Sequence, residues 1–123
     1  MKRLFEGTLR SVLICGKCGH KRSQPEPFLN VSLSLAKEVV RYAKLRLETC
    51  LKHFTKTKDL ADPVHFPSCD AKTRTRKQHT FAVLPRVLCL HLKRFDNAVN
   101  KKITDRVTFP TEVLDMVLHM SHW

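Results

Sequence analysis

Alternation of apolar and polar residues predicts three strands. The clearest pattern covers residues 28–35, where Leu29 begins a series in which every second residue is apolar and the residues between are Asn or Ser. A period of two is typical of a strand with one buried face. Residues 78–83 alternate in the same way, and residues 5–14 are also predicted as a strand.

Two further segments are predicted as strands from other features. Residues 87–92 are nearly all apolar, which is typical of a strand that is buried on both faces. Residues 107–110 are predicted as a short strand, which ends at Pro110 because proline cannot continue a hydrogen-bonded ladder.

A helical pattern is found only in the middle of the chain. Residues 48–60 predict a short helix, ended by Pro63, and residues 36–46 are basic and loosely helical. Residues 61–76 contain prolines and a polar run, and are predicted as loop. This order of elements predicts an α+β fold of mostly antiparallel strands with one or two short helices. The apolar residues on one side of the predicted helix are Leu47, Cys50, Leu51 and Phe54.

Length and composition narrow the class of protein. The chain has 123 residues, which suits one small domain or part of a larger one. No stretch approaches the ~20 apolar residues that a bilayer span needs, and the N-terminus has no apolar signal segment. We therefore expect a nuclear or cytoplasmic protein that is not secreted and has no membrane partner.

The chain is strongly basic, with 23 Lys and Arg, 11 Asp and Glu, and a formal net charge of +12. This excess suggests either an acidic partner or simply a solvated surface. The charges are spread from Lys2 to Arg106, and aromatic residues are few. Nucleic acid is therefore disfavoured as a partner, because bases need aromatic platforms on which to stack.

Three of the five cysteines have positions that suit a metal site. Cys15 and Cys18 form a C-x2-C pair followed by glycine, which is typical of the knuckle of a zinc ribbon. Cys69 is the third candidate ligand. A second C-x2-C pair would need cysteine at position 66, where this chain has Phe66. The cysteines therefore predict a possible structural zinc site in which the set of four cysteine ligands is incomplete.

The order of several motifs resembles the ubiquitin-specific protease family of cysteine deubiquitinases. The resemblance extends from about Phe5 to Met116, and its most specific string is Leu-Pro-Arg-Val-Leu-Cys-Leu-His-Leu-Lys-Arg-Phe at residues 84–95. The other matching segments are residues 5–11 before Cys15-x2-Cys18, residues 28–33, residues 47–51 with Phe54, Cys69 with Lys77, Lys102, residues 107–110 and residues 114–116.

The resemblance implies a partial papain-like deubiquitinase fold. Residues 1–116 would form part of the catalytic domain, namely the fingers that grip ubiquitin and the adjoining palm strands. Residues 117–123 would be a divergent tail in which His119 and His122 are mobile. The family's boxes with the nucleophilic Cys and the catalytic His have no match, so no catalytic residue is assigned and the chain alone is expected to be inactive.

The resemblance also places Cys69 as the last zinc ligand and leaves the third position to Phe66. His65 is then a candidate fourth ligand beside Cys15, Cys18 and Cys69, because of its H-x3-C spacing, and His20 is a weaker one. Alternatively, a solvent ligand would complete a weaker site, or the tip would be held by strand pairing with unused thiols.

The remaining cysteines and His91 are assigned structural roles. Cys50 lies on the apolar side of the predicted helix, and Cys89 lies in the predicted buried strand. His91 corresponds to a structural position in the family and is expected to be a core histidine with satisfied hydrogen bonds.

Two functions follow as expectations. In the first, the parent protein hydrolyses peptide or isopeptide bonds at the C-terminus of ubiquitin, with ubiquitin and ubiquitinated proteins as partners. In the alternative, the chain is a non-catalytic basic zinc ribbon that binds nucleic acid or protein.

Overall fold

The computed structural model describes residues 2–35, 45–96, 101–102 and 106–121. Its helices are α1 (Lys2–Phe5), α2 (Leu47–Phe54) and a 3-10 turn (Val117–His119). Its strands are β1 (Gly7–Cys15), β2 (Lys21–Phe28), β3 (Val31–Ser34), β4 (Leu45–Arg46), β5 (Lys58–Asp59), β6 (Val64–Phe66), β7 (Ala71–Thr73), β8 (Thr75–Val83), β9 (Leu90–Lys93), β10 (Phe95–Asp96), β11 (Lys101–Lys102) and β12 (Val107–Thr108).

The largest sheet has four antiparallel strands in the order β2-β1-β8-β5. The predicted strand at residues 5–14 is confirmed as β1, which starts two residues later at Gly7. A side chain at Gly7 would approach the Phe28 ring and the Val83 carbonyl oxygen to 2.5–2.8 Å. Glycine therefore allows β2 and β8 to approach the first residue of β1 closely.

The strand β2 is absent from the sequence-based prediction. Its residues are almost all exposed, and it contains Pro25 and Pro27. Because β2 is an edge strand, its prolines and its exposed face are tolerated there, although they remove the hydrophobic alternation that marks a strand. The long hairpin of β1 and β2 therefore had no signal in the apolar pattern.

A hydrophobic core lies at the end of the sheet where β1 starts. The prediction for residues 28–35 is largely confirmed, because Val31, Leu33 and Leu35 are 0–2% exposed. Leu29 is 47% exposed, since β3 begins only at Val31. The helix α2 packs against β3, and the buried members of the core are Leu9, Val31, Leu33, Leu35, Cys50, Leu51, Phe81 and Val107.

The predicted helix at residues 48–60 is shorter than expected. It ends at Phe54, and the Thr55 hydroxyl donates a hydrogen bond to the Leu51 carbonyl (3.1 Å). The chain then joins the edge of the main sheet as β5, which pairs with β8. Pairing with β8 and the two threonines at 55 and 57 outweigh continuation of the helix, because β-branched residues favour strands.

The prediction of loop for residues 61–76 is wrong for about half of these residues, which form strands. Residues 64–66 and 71–73 form the β6–β7 hairpin, and Thr75 already belongs to β8. Strands of three residues are too short to show periodicity in the sequence. Asp70 turns the hairpin with a φ of 47°, a left-handed conformation that aspartate tolerates better than most residues.

The expectation that residues 87–92 are buried on both faces is also wrong. Only β9 forms there, pairing in parallel with β3, and its burial alternates between half-buried leucines and the exposed His91 and Lys93. Val87 and Cys89 are exposed as well. The described structure covers one face of this strand, with Leu90 and Leu92 packed on the core.

The predicted strand near residue 107 is confirmed as β12, which pairs in parallel with β4. The prediction of loose helix at residues 36–46 falls mostly outside the described residues, and its last two residues form β4. Pairing is otherwise antiparallel apart from β3–β9, so the α+β prediction of mostly antiparallel strands is correct for the described chain. No helix in this part of the chain is long and apolar enough to cross a membrane.

The C-terminal segment is more ordered than the sequence predicts. The expectation that His119 is mobile is wrong, because it is 5% exposed and its Nδ1 lies 3.4 Å from the Thr55 hydroxyl. Met120 forms a bridge with Phe81 at the edge of the sheet, and the Ser121 N–H donates to the Phe81 carbonyl (2.7 Å). Backbone pairing with β8 thus holds this segment in place. His122 lies outside the described residues.

Candidate metal centre

The first two candidate ligands lie on a tight knuckle at the end of β1. Cys15 is the last residue of β1, and the Gly19 N–H donates to the Cys15 carbonyl (3.0 Å) to close the turn. Gly19 has a φ of +74°, which favours glycine. Gly16 lies against the Arg74 carbonyl, and a side chain at this position would collide with that backbone. The knuckle therefore requires glycine at both positions, at Gly16 for space and at Gly19 for its backbone conformation.

The β6–β7 hairpin brings the third cysteine to this knuckle. Cys69 lies in the hairpin turn, where its N–H donates to the Phe66 carbonyl (3.3 Å). Its Sγ is 3.7 Å from the Sγ of Cys15, and the Sγ atoms of Cys15, Cys18 and Cys69 all lie within 4.8 Å of one another. Two thiolates on one tetrahedral zinc ion, with Zn–S bonds of about 2.3 Å, are about 3.8 Å apart. The three thiols can therefore hold a zinc ion, as the sequence predicted.

Hydrogen bonds at the knuckle favour the thiolate form of Cys15. The Cys18 N–H, the Thr73 hydroxyl and the Lys17 N–H all lie within 3.2–3.5 Å of its Sγ. The N–H of Cys18 is the largest cause, and together these donors lower the pKa of Cys15 to about 6 against the opposing effect of burial. A metal ligand must be deprotonated, so this environment prepares Cys15 to bind zinc.

The pKa of Cys69 is shifted in the opposite direction. Burial is the largest cause that raises its pKa, followed by its contacts with the sulfur atoms of Cys15 and Cys18. The first thiolate to form is thus Cys15, and its charge disfavours a second one nearby. A divalent cation would remove that repulsion, which is why such a cluster favours metal binding.

Phe66 stands where a fourth cysteine would complete two C-x2-C pairs. Its side chain is fully buried, and the Arg22 guanidinium lies over its ring at 4.7 Å. The His20 ring meets the Phe66 ring edge-on with centroids 6.4 Å apart. Phe66 therefore provides apolar packing at this position, where a fourth cysteine would provide a ligand.

His65 is not brought into the group of three thiols in the described structure. Its side chain is exposed, and its Nε2 lies 3.1 Å from the Asp70 carboxylate. His65 and Asp70 are therefore paired with each other beside the hairpin turn.

Sequence reasoning missed Thr73, whose hydroxyl touches Cys15 Sγ, because this residue lies within a run of basic residues.

The other two cysteines lie away from this cluster. Cys50 is fully buried in the core, and burial raises the pKa of its thiol, which keeps it protonated. This agrees with its predicted role as a small apolar residue. Cys89 and His91 are exposed, so the predictions of a buried cysteine and a core histidine are wrong. His91 lies on the exposed face of β9, and Cys89 directly precedes that strand.

Sequence comparison identifies the relatives of this chain. The family described as ubiquitin carboxyl-terminal hydrolase matches residues 1–122, a match that continues beyond Met116. Ubiquitin carboxyl-terminal hydrolase 2 of Gallus gallus is 38% identical over 118 residues, which are 92% of this chain and 32% of that protein. Ubiquitin carboxyl-terminal hydrolase 21 of Homo sapiens is 36% identical over 118 residues, which are 92% of this chain and 21% of that protein.

Solved structures give the same result. A SAGA DUB module bound to monoubiquitin contains a chain that superposes on 97% of this chain with a TM-score of 0.81 and 34% identity. A module bound to ubiquitin aldehyde gives a TM-score of 0.79 and 33% identity over 97% of this chain. This chain covers 26% of the matched chain in each module. It belongs to the ubiquitin carboxyl-terminal hydrolase family.

Proposed function

We propose that this chain is the ubiquitin-holding part of a deubiquitinase catalytic domain. In this proposal the central sheet with its thiol cluster forms the fingers, and the core around α2, β3 and β9 forms part of the palm, together covering residues 1–116. The observation that supports it best is the superposition of 97% of the chain on modules solved with ubiquitin.

The parent reaction would be thiol-dependent hydrolysis of peptide or isopeptide bonds at the C-terminus of ubiquitin, through a thioester intermediate. The chain spans about a third or less of the relatives it matches. Four of its five cysteines are poor candidates for the nucleophile, because three are grouped for metal binding and Cys50 is buried as a thiol. We therefore expect these 123 residues alone to bind ubiquitin without cleaving it.

Zinc would have a structural role in this proposal. Cys15, Cys18 and Cys69 would be the protein ligands, and the metal would join the knuckle after β1 to the β6–β7 hairpin. The ion would fix the end of the sheet, so ubiquitin would meet a rigid surface. A solvent molecule would complete the tetrahedron unless His65 leaves Asp70. For the parent protein, we propose a nuclear location.

A titration of isotope-labelled ubiquitin with the chain tests the proposal. We expect amide shifts confined to one face of ubiquitin, which persist at physiological salt. A fluorogenic amide of the ubiquitin C-terminus should remain uncleaved by the chain. Absence of shifts with a folded chain would contradict the proposal. Cleavage would contradict the assignment of catalysis to residues outside this chain.

A further inference from the structure

A groove of about 520 Å³ lies on the face of the central sheet that also carries Cys15. Its floor is formed by Ser11 and Leu13 of β1. Residues directly opposite each other on paired strands project to the same side of a sheet. Leu13 is opposite Arg22 on one side and opposite Lys77 on the other, so these two cations face each other across the floor.

The groove lies between two packed ends of this face. At one end Arg22 is stacked on the buried Phe66 ring. At the other end Glu26 is 3.4 Å from His79, whose ring is stacked on Phe54. Arg22 is thus held on an aromatic ring at one end, and the contact of Glu26 with His79 joins β2 to β8 at the other.

Positive charge is concentrated across this groove. Lys58 is opposite Lys77, so three cations lie in one row across four strands. No carboxylate among the described residues forms an ion pair with Arg22 or Lys77. An anion seated between Arg22 and Lys77 would therefore meet two positive charges.

The shape and lining favour a peptide over a nucleic acid. Residues 22–26 of β2 line the wall over about 13 Å, the length of about four extended residues. Ser11 and Gln24 offer hydrogen bonds to a peptide backbone, and no aromatic ring lines the groove on which a base could stack. The planar guanidinium of Arg22, held on Phe66, suits two-point pairing with a carboxylate.

We propose that this groove binds an acidic peptide segment of a partner protein, with an Asp or Glu carboxylate seated between Arg22 and Lys77. Backbone groups of the peptide would meet Ser11 and Gln24. The inference does not depend on the proposed function, because it follows from the groove, the sheet register and the charges.

Fluorescence anisotropy with a labelled Ser-Glu repeat decapeptide and the full chain tests this inference. The double variant Arg22→Ala, Lys77→Ala should bind the peptide at least about tenfold more weakly, because two charge-assisted contacts are lost. The matched control Lys52→Ala, Lys56→Ala removes the same charge from exposed positions in and just after α2, and should change affinity less than about twofold. Circular dichroism must confirm that both variants are folded.

A second variant covers the case in which the first fails to fold. Arg22→Lys keeps the charge but loses the planar fork, and it should weaken binding severalfold. The inference is overturned if both double variants weaken binding equally, since diffuse charge would then explain it. It is also overturned if the wild-type chain does not bind the peptide at low salt, or if an oligothymidylate binds more tightly and depends on the same two residues.

Discussion

The two ends of the central sheet are stabilised in different ways. At the core end, Leu33, Leu51 and Phe81 are fully buried among apolar neighbours from α2, β3 and β8. At the knuckle end, a short hairpin is placed by three thiols and the buried Phe66. Apolar burial stabilises the core end without a ligand. At the knuckle end neighbouring thiolates repel each other, so the thiol cluster needs a cation to stabilise the fold fully.

We therefore expect the two ends of the sheet to differ in their dependence on metal. The core end should keep its structure with or without metal, whereas the order of the knuckle end should depend on metal. Variants at the two ends should therefore fail differently: one in global stability, the other in local order.

Cys15→Ser should have the largest effect on the knuckle end. The variant removes a thiol that lies 3.7 Å from the thiol of Cys69, and we expect loss of stoichiometric zinc or cobalt binding. Structural zinc contributes ~10–16 kcal/mol in zinc-finger peptides, so local order should fall sharply. Hydrogen exchange should increase for the amides of β6 and β7 but not for β3. Cys89→Ser is the matched control, because Cys89 is exposed and outside the cluster. Equal hydrogen-exchange rates in Cys15→Ser and Cys89→Ser would show that the order of the knuckle end does not depend on the thiol cluster.

Leu33→Ala should lower the stability of the core end. Leu33 is 0% exposed, and large-to-small substitutions at such sites cost about 2–5 kcal/mol of unfolding free energy. Chemical denaturation measures that loss, which should affect the whole chain. Leu29→Ala is the control, since Leu29 is 47% exposed and should change stability by less than about 0.5 kcal/mol. A similar loss in both variants would mean that the core does not centre on β3.

The sequence predicted the core end and the cysteines best. Residues 28–35 carry a period of two because one face of β3 packs on α2, and that packing constrains the sequence directly. The pair Cys15 and Cys18 with its two glycines marks a knuckle, because metal binding and tight turns each need particular residue types.

The elements that sequence reasoning missed have physical reasons in common. The strand β2 is exposed and rich in proline, so its hydrogen bonds to β1 leave no apolar pattern. The β6–β7 hairpin is too short for periodicity, and its order depends on contacts distant in sequence, such as that of Thr73 with Cys15. The partners of His65 and His119 are likewise set by tertiary structure, which spacing alone does not encode.

Stability should fall at acidic pH through His119. Burial is the largest cause that lowers its pKa, and Asp115 opposes the effect. The unfolded chain therefore takes up the proton first as pH falls below about 6.5, which favours unfolding; above that pH His119 is neutral in both states and costs nothing. Thermal denaturation should show a decreasing melting temperature over that range, with a smaller total effect than Leu33→Ala.

His119→Gln should reduce this pH dependence without abolishing it. The pKa of His79 is also lowered, so His79 contributes a decrease of the same sign. An unchanged pH slope in His119→Gln would show that His119 is not the group responsible.

His65→Ala should have the smallest effect at the knuckle end and decides the fourth ligand. In the described structure His65 pairs with Asp70, both are exposed, and the three thiols assemble without it. We therefore expect the d–d absorption of the cobalt-substituted chain to keep its intensity and position, with a solvent molecule as fourth ligand. Cys69→Ser is the positive control and should lose the tetrahedral bands. If His65→Ala changes the bands as well, His65 leaves Asp70 on metal binding, and the H-x3-C spacing describes a site of three cysteines and one histidine.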